Sequence, residues 1–126
     1  MGKTFKMQPW ITMKGHTGYL DPLIQPTTGW VNGENFKDAV VDIKIASNTV
    51  SAGSDLAELA IQTAVAPEGP WQTITTLTPA YTEVAKYYTS REGGTDQFER
   101  FLRWKIDGTG ASNDWTMTFK ICATLK

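Results

Sequence analysis

Apolar and polar residues alternate most cleanly in the last quarter of the chain. Leu102, Trp104 and Ile106 share one side of an extended segment, with Arg103, Lys105 and Asp107 on the other. Trp115, Met117, Phe119, Ile121, Ala123 and Leu125 then alternate with Thr116, Thr118, Lys120, Cys122, Thr124 and Lys126. A period of two marks a strand with one dry and one wet face. The stretch between them, Gly108 to Asp114, is rich in residues that tolerate turn dihedrals. The two segments are therefore expected to pair as an antiparallel hairpin, with Trp104 and Trp115 on its dry face.

The same pattern recurs upstream. Ala39, Val41, Ile43 and Ile45 alternate with Val40, Asp42, Lys44 and Ala46, and the β-branched density favours strand over helix. Asp55 to Val65 reads two ways. Asp55 and Glu58 have capping-box spacing and the Ala/Leu content suits a helix. Against that, Ala57, Leu59, Ile61, Thr63 and Val65 fall on alternate positions. The neighbouring residues decide for strand: Ala66-Pro67-Glu68-Gly69-Pro70 is a tight-turn sequence, with Pro67 suited to position i+1, and Trp71 to Leu77 returns as a partner strand. Tyr81 to Ser90, rich in Tyr and Thr, is a further strand.

Residues 1–29 are less regular. Phe5 and Met7 suit one face of a short strand, and Trp10 and Ile11 lie beyond a break at Pro9. Gly15 to Tyr19 reads as a loop, and Pro22, Pro26 and Gly29 exclude a central strand or helix interior. An extended N-terminal arm over 1–29 is expected, packed either on a neighbouring subunit or on its own domain. Residues 30–126 form the domain proper. Six to eight short strands with turn residues between them and little helix describe an all-β chain. The architecture expected is an antiparallel β-sandwich, in plain or jelly-roll form.

At 126 residues this is one domain, large enough to bury a core without a metal or a disulfide framework. A net charge of -1 supplies no basic field for nucleic acid or an anionic membrane. No apolar run reaches the roughly 20 residues a spanning helix needs. The first residues are basic without an apolar segment behind them, so no secretory signal is expected and production in a cytoplasm is. Cys122 is the single cysteine, which excludes an intramolecular disulfide and reads as a small residue tolerated in a strand.

Chemistry-bearing patterns are sparse. Asp42, Glu58, Glu99 and Asp107 fall on strands, where cross-strand pairing with Lys44, Arg103 or Lys105 is the ordinary expectation. His16, the one histidine, lies between glycines in a loop and cannot by itself make a zinc site. There is no nucleophile elbow, Cys-x-x-Cys, phosphate loop or dinucleotide fingerprint. No cofactor, metal or catalysis is expected. The aromatics are the remaining candidates. Trp30, Trp71 and Tyr87, with Tyr81 and Tyr88, could stack a glycan if exposed side by side; packing in a core or turn is the ordinary alternative. Phe101 lies on the polar side of its strand, where an apolar ring suggests a contact surface.

Three segments together have a familiar arrangement. Glu58-Leu59-Ala60-Ile61-Gln62-Thr63 is followed by a Pro/Gly turn and Trp71-Gln72-Thr73-Ile74, and later by Arg100-Phe101-Leu102-Arg103-Trp104-Lys105-Ile106-Asp107-Gly108. This resembles small β-sandwich proteins of tailed bacteriophages and phage-like particles. In those a Leu-x-(Ile/Val)-Gln-x-Ser strand precedes a turn and an aromatic-led strand, and a late Arg-(Tyr/Phe)-(Leu/Val)-Arg strand leads through Gly to the last. The chain departs from them in having Ala-Pro-Glu-Gly-Pro where Asp-Gly is commoner. The resemblance covers roughly residues 38–126. It implies a virion protein without catalysis, such as a capsid decoration or tail component, which assembles with itself as a homo-oligomer and with a capsid or tail protein. On that reading Phe5, Met7, Trp10, Ile11, Tyr19 and Phe101 are the candidate assembly contacts. The alternative is a carbohydrate-binding module using Trp30, Trp71 and Tyr87.

Overall fold

The structure is a computed structural model. It describes residues 2–15, 23–51, 56–77, 83–90, 97–108 and 114–126, over 83–88 by their backbone. The strands in chain order are β1 (Lys3–Gly15), β2 (Leu23–Ile24), β3 (Val31–Asn32), β4 (Asp38–Val50) and β5 (Glu58–Ala64). They continue with β6 (Gln72–Leu77), β7 (Glu83–Ser90), β8 (Phe101–Asp107) and β9 (Trp115–Leu125). Between β2 and β3 lies one short 3-10 turn, Thr27–Gly29, and the described residues contain no α-helix.

The strands form two sheets. One has the order β1-β9-β4-β7, and the other β2-β8-β5-β6 with β3 also on β8. The pairings are antiparallel. β2 and β3 pair with opposite ends of β8, Leu23 with Ile106 and Val31 with Leu102, so they act as one interrupted strand. Counted so, each sheet has four strands, and the chain passes from one sheet to the other at every step except the β5–β6 hairpin. That is the winding of a jelly roll.

Alternation explains the core. Val41, Ile43 and Ile45 of β4, Leu59 and Ile61 of β5, and all six apolar positions of β9 point between the sheets and are buried. So are Leu102, Trp104 and Ile106 of β8. The Trp104 ring meets Phe119 of the opposite sheet edge-on, with centroids 5.1 Å apart at 83°. The sequence between β5 and β6 makes the expected turn, with the Gly69 amide donating to the Ala66 carbonyl at 2.9 Å and Pro67 at i+1. Gly69 has φ +89°, which a glycine adopts without strain.

Three expectations need correction. β8 and β9 do not pair as a hairpin: β8 lies between β5 and β2, and β9 between β1 and β4. Both bury one face, and alternation cannot distinguish lateral pairing from face-to-face packing. Val65, placed by alternation with Ile61 and Thr63, is 65% exposed, because it lies past the end of β5.

The third concerns the arm. Residues 3–15 form β1, a 13-residue edge strand on β9 of the same chain. Its pairs run Phe5–Ala123, Gln8–Ile121 and Ile11–Phe119, so β1 advances three residues while β9 advances two, twice over. Two bulges thus break the alternation that would have revealed the strand. Pro9, with no amide to donate, lies in the bulged stretch of an edge strand, where it costs least. Residues 23–32 likewise join the second sheet through β2 and β3.

Gln25 ties the N-terminal region to both sheets. Its side-chain nitrogen donates to the Met7 carbonyl at 2.7 Å and the Gly29 carbonyl at 2.8 Å, and its side-chain oxygen accepts the Trp104 amide at 3.1 Å. Gln25 is 2% exposed and its bonds to Met7 and Trp104 are buried, so those two backbone groups would be orphaned without it. Gln25→Leu should therefore destabilise the protein by roughly 2–4 kcal/mol, read from urea denaturation.

Trp115 supplies a second structural test. It lies against Gly15, its cross-strand partner, and against Gly108. A Cβ added at Gly15 would come within 2.5 Å of the indole ring, which is itself buried. Gly15→Ala and Gly108→Ala should each cost about 1–3 kcal/mol by overpacking, whereas Gly2→Ala, with contacts no closer than 3.4 Å, should be neutral.

Candidate functional site

The side of β8 that alternation marks as wet is covered at one end by a second aromatic cluster. Phe101 and Arg103 point outward from β8, and the register sets Gln62 of β5 beside Arg103 and Thr73 of β6 beside Gln62. Two tryptophans close over this row. The edge strand opposite Trp104 and Arg103 is interrupted at Pro26, which has no N–H to donate, and Trp30 stands where it re-enters as β3. Trp71 lies two residues before Thr73 and falls on the same outward side by the strand period.

The geometry is specific. The Arg103 guanidinium lies 3.7 Å from the Trp71 ring centroid and 5.5 Å from that of Trp30. Trp30 and Trp71 meet at 4.8 Å and 70°, and Trp30 and Phe101 at 6.3 Å and 60°. Arg103 Nε donates to Gln62 Oε1 at 3.0 Å, and Gln62 Nε2 donates to Thr73 Oγ1 at 3.4 Å. The indole of Trp30 donates to the Gln25 carbonyl at 2.8 Å and that of Trp71 to the Pro67 carbonyl at 3.2 Å. Both indole N–H groups are thus turned to the chain's own backbone.

Arg103 is 9% exposed, and burial pulls its guanidinium below the ordinary range. The carboxylate partner expected for it is replaced by the neutral Gln62. Among the described residues no carboxylate pairs with Arg103, and none accepts from its terminal nitrogens. Next to it, Arg100 lies over the Phe101 ring at 5.0 Å and reaches Glu34 at 3.6 Å, an exposed pair of small energetic weight.

The structure disperses the other candidates. Met7 is buried in the core, while Phe5 and Ile11 are half-buried against it, Phe5 edge-on to Phe36 at 6.2 Å. These three are committed to packing within the chain. Trp10 is 52% exposed, with the Lys120 ammonium 5.2 Å from its ring. Phe101 joins Trp30 and Trp71, so one assembly candidate and two glycan candidates form a single patch. Tyr87 pairs by its backbone with Val41, and its side chain lies outside the described residues, as do Tyr19, Tyr81 and His16. Glu58 and Asp107 face each other across β5 and β8. Among the described residues no group of three or more His, Cys, Asp or Glu could hold a metal ion, and no helix is long and apolar enough to cross a membrane.

Sequence reasoning missed Arg103 and Gln62. The available signal was Trp71, which by period two extends the polar side of β6 and so had to cover something. Scans against protein-family models returned no match, and neither did a comparison with curated proteins.

The stack sets up a quantitative test. A cation on an indole face contributes about 0.5–2 kcal/mol, more as it is desolvated. That gain offsets the cost of burying a guanidinium without a counter-ion. Arg103→Met should therefore change stability by less than about 1 kcal/mol. A double-mutant cycle with Trp71→Ala should give a coupling of about 1 kcal/mol in chemical denaturation.

Proposed function

We propose that this chain is a non-enzymatic structural protein of a virion or phage-like particle, acting as a capsid decoration protein through self-assembly and contact with a shell or tail protein. The observation that carries this reading is the strand order. A jelly roll of two four-stranded sheets is an architecture shared by viral capsid proteins and by lectins. Because one fold hosts many functions, the order needs support from a surface. Two surfaces supply it. β1 is a 13-residue edge strand that displays Trp10, and the outer face of the second sheet carries Trp30, Trp71, Phe101 and Arg103 together. Trp and Arg are the residues enriched where protein partners bind most strongly. The resemblance of residues 38–126 to phage β-sandwich proteins points the same way.

The carbohydrate-binding alternative has one observation in its favour, the juxtaposition of Trp30 and Trp71. Their 70° angle and the Arg103 stacked on Trp71 leave no coplanar pair of free ring faces for a sugar. The patch is better suited to a protein surface.

Light scattering on the purified chain should give a trimer or other closed oligomer, or else a monomer that cosediments with empty phage shells. Trp10→Ala should weaken that association at least tenfold while the melting temperature stays within a few degrees. A strict monomer that binds neither shells nor tails would overturn the reading.

A further inference from the structure

Arg103 is the one feature of the outer patch that packing alone does not account for. A guanidinium carries five N–H donors, and among the described residues only Nε has a protein acceptor. Four donors on the two terminal nitrogens remain, on a side chain more than nine-tenths buried among Trp30, Trp71 and Gln62. Such a group is ordinarily matched by a carboxylate, because the planar fork of guanidinium and the two oxygens of a carboxylate fit as a bidentate pair. Glu34, a carboxylate beside this patch, is directed to Arg100 instead. Among the described residues Arg103 is thus a buried cation with no carboxylate paired to it, in a chain whose net charge is -1. That unmatched charge is complementary to an acidic partner.

We propose that the terminal nitrogens of Arg103 receive a carboxylate side chain of a partner polypeptide, which docks on the outer face of β5 and β8 against Trp30, Trp71 and Phe101. The identity of the partner as a protein rests on the assembly reading above; the carboxylate-accepting chemistry rests on Arg103 itself. Stacking on Trp71 and the bond to Gln62 hold the fork in place before the partner arrives, so little side-chain entropy is lost on binding. The surrounding rings exclude water and strengthen the charged hydrogen bonds. Gln62 is suited to this arrangement because, being neutral, it orients Nε without cancelling the charge. A glutamate in its place would pair with Arg103 internally and close the site.

Phenylacetate, a carboxylate beside an apolar ring, is the probe, with neutral phenylacetamide and inorganic phosphate as comparisons. Two-dimensional NMR on the full chain follows the indole N–H signals of Trp30 and Trp71 and the Nε–H signal of Arg103. Phenylacetate should shift all three saturably, and phenylacetamide should bind at least tenfold more weakly. Arg103→Met, with the rest of its spectrum unchanged, should lose the response. Gln62→Glu should fold and lose it too, which provides a second variant independent of removing the arginine. Equal binding of acid and amide, no saturable shift, or a response retained in Arg103→Met would overturn the proposal. Tighter binding of phosphate than of phenylacetate would overturn the carboxylate assignment. Failure here leaves the assembly reading standing, whereas a monomer that binds no shell yet takes phenylacetate overturns only that reading.

Discussion

The packing of Trp104 is the constraint on which the rest of the structure depends. Its ring crosses the space between the sheets to meet Phe119, its indole N–H donates to Gln8 of β1 at 3.0 Å, and its backbone amide donates to Gln25. One residue of β8 thus touches the opposite sheet, the edge strand and the interrupted strand. Burying a tryptophan removes roughly 150–250 Å² from water. At about 25 cal/mol per Å² that contributes on the order of 4–6 kcal/mol, comparable with the whole net stability of a small domain. The polar partners matter as much as the area. A buried indole N–H and two buried backbone groups must be satisfied, and Gln8 and Gln25 bring β1 and β2 to β8 in satisfying them.

From that anchor the outer patch follows. Gln25 turns the chain at Pro26, the turn returns as β3, and Trp30 donates to the Gln25 carbonyl as it re-enters. The residue that holds the core side of Trp104 therefore also positions an aromatic on the opposite side of the same sheet. Arg103, one residue before Trp104, lies beneath it. Core and surface patch are two sides of one strand, set by adjacent residues.

The fold class was legible because period-two alternation depends only on which side of a strand is dry. β4, β5, β8 and β9 each display it, and Pro67 marks the tight β5–β6 hairpin. Strand partnership was not legible. Trp104 and Trp115 have equally dry faces whether their strands pair edge to edge or pack face to face, and a connection of several residues serves either. β1 was hidden for a different reason. Its two bulges shift the alternation twice within seven residues, from Phe5 to Ile11, so no window shows the period. The outer site was half legible. Trp30, Trp71 and Phe101 stand out by residue type, but Arg103 and Gln62 look like ordinary solvated positions until the register sets them side by side.

The same details bear on how the chain can associate. A 13-residue edge strand presents unpaired backbone groups and invites sheet extension by another chain. β1 carries the features that discourage it: two bulges, a proline at position 9, and lysines at 3, 6 and 14. Open-ended strand addition is therefore disfavoured along most of its length. What β1 does offer outward is the Trp10 side chain, with Lys120 held near its ring. The outer patch likewise offers side chains, with its indole N–H groups already bonded to backbone. Both surfaces favour contacts made by rings and cationic side chains, which depend on an exact facing partner, over backbone pairing, which would accept any strand. Contacts of the first kind are the ones that a closed assembly, if this chain forms one, would use.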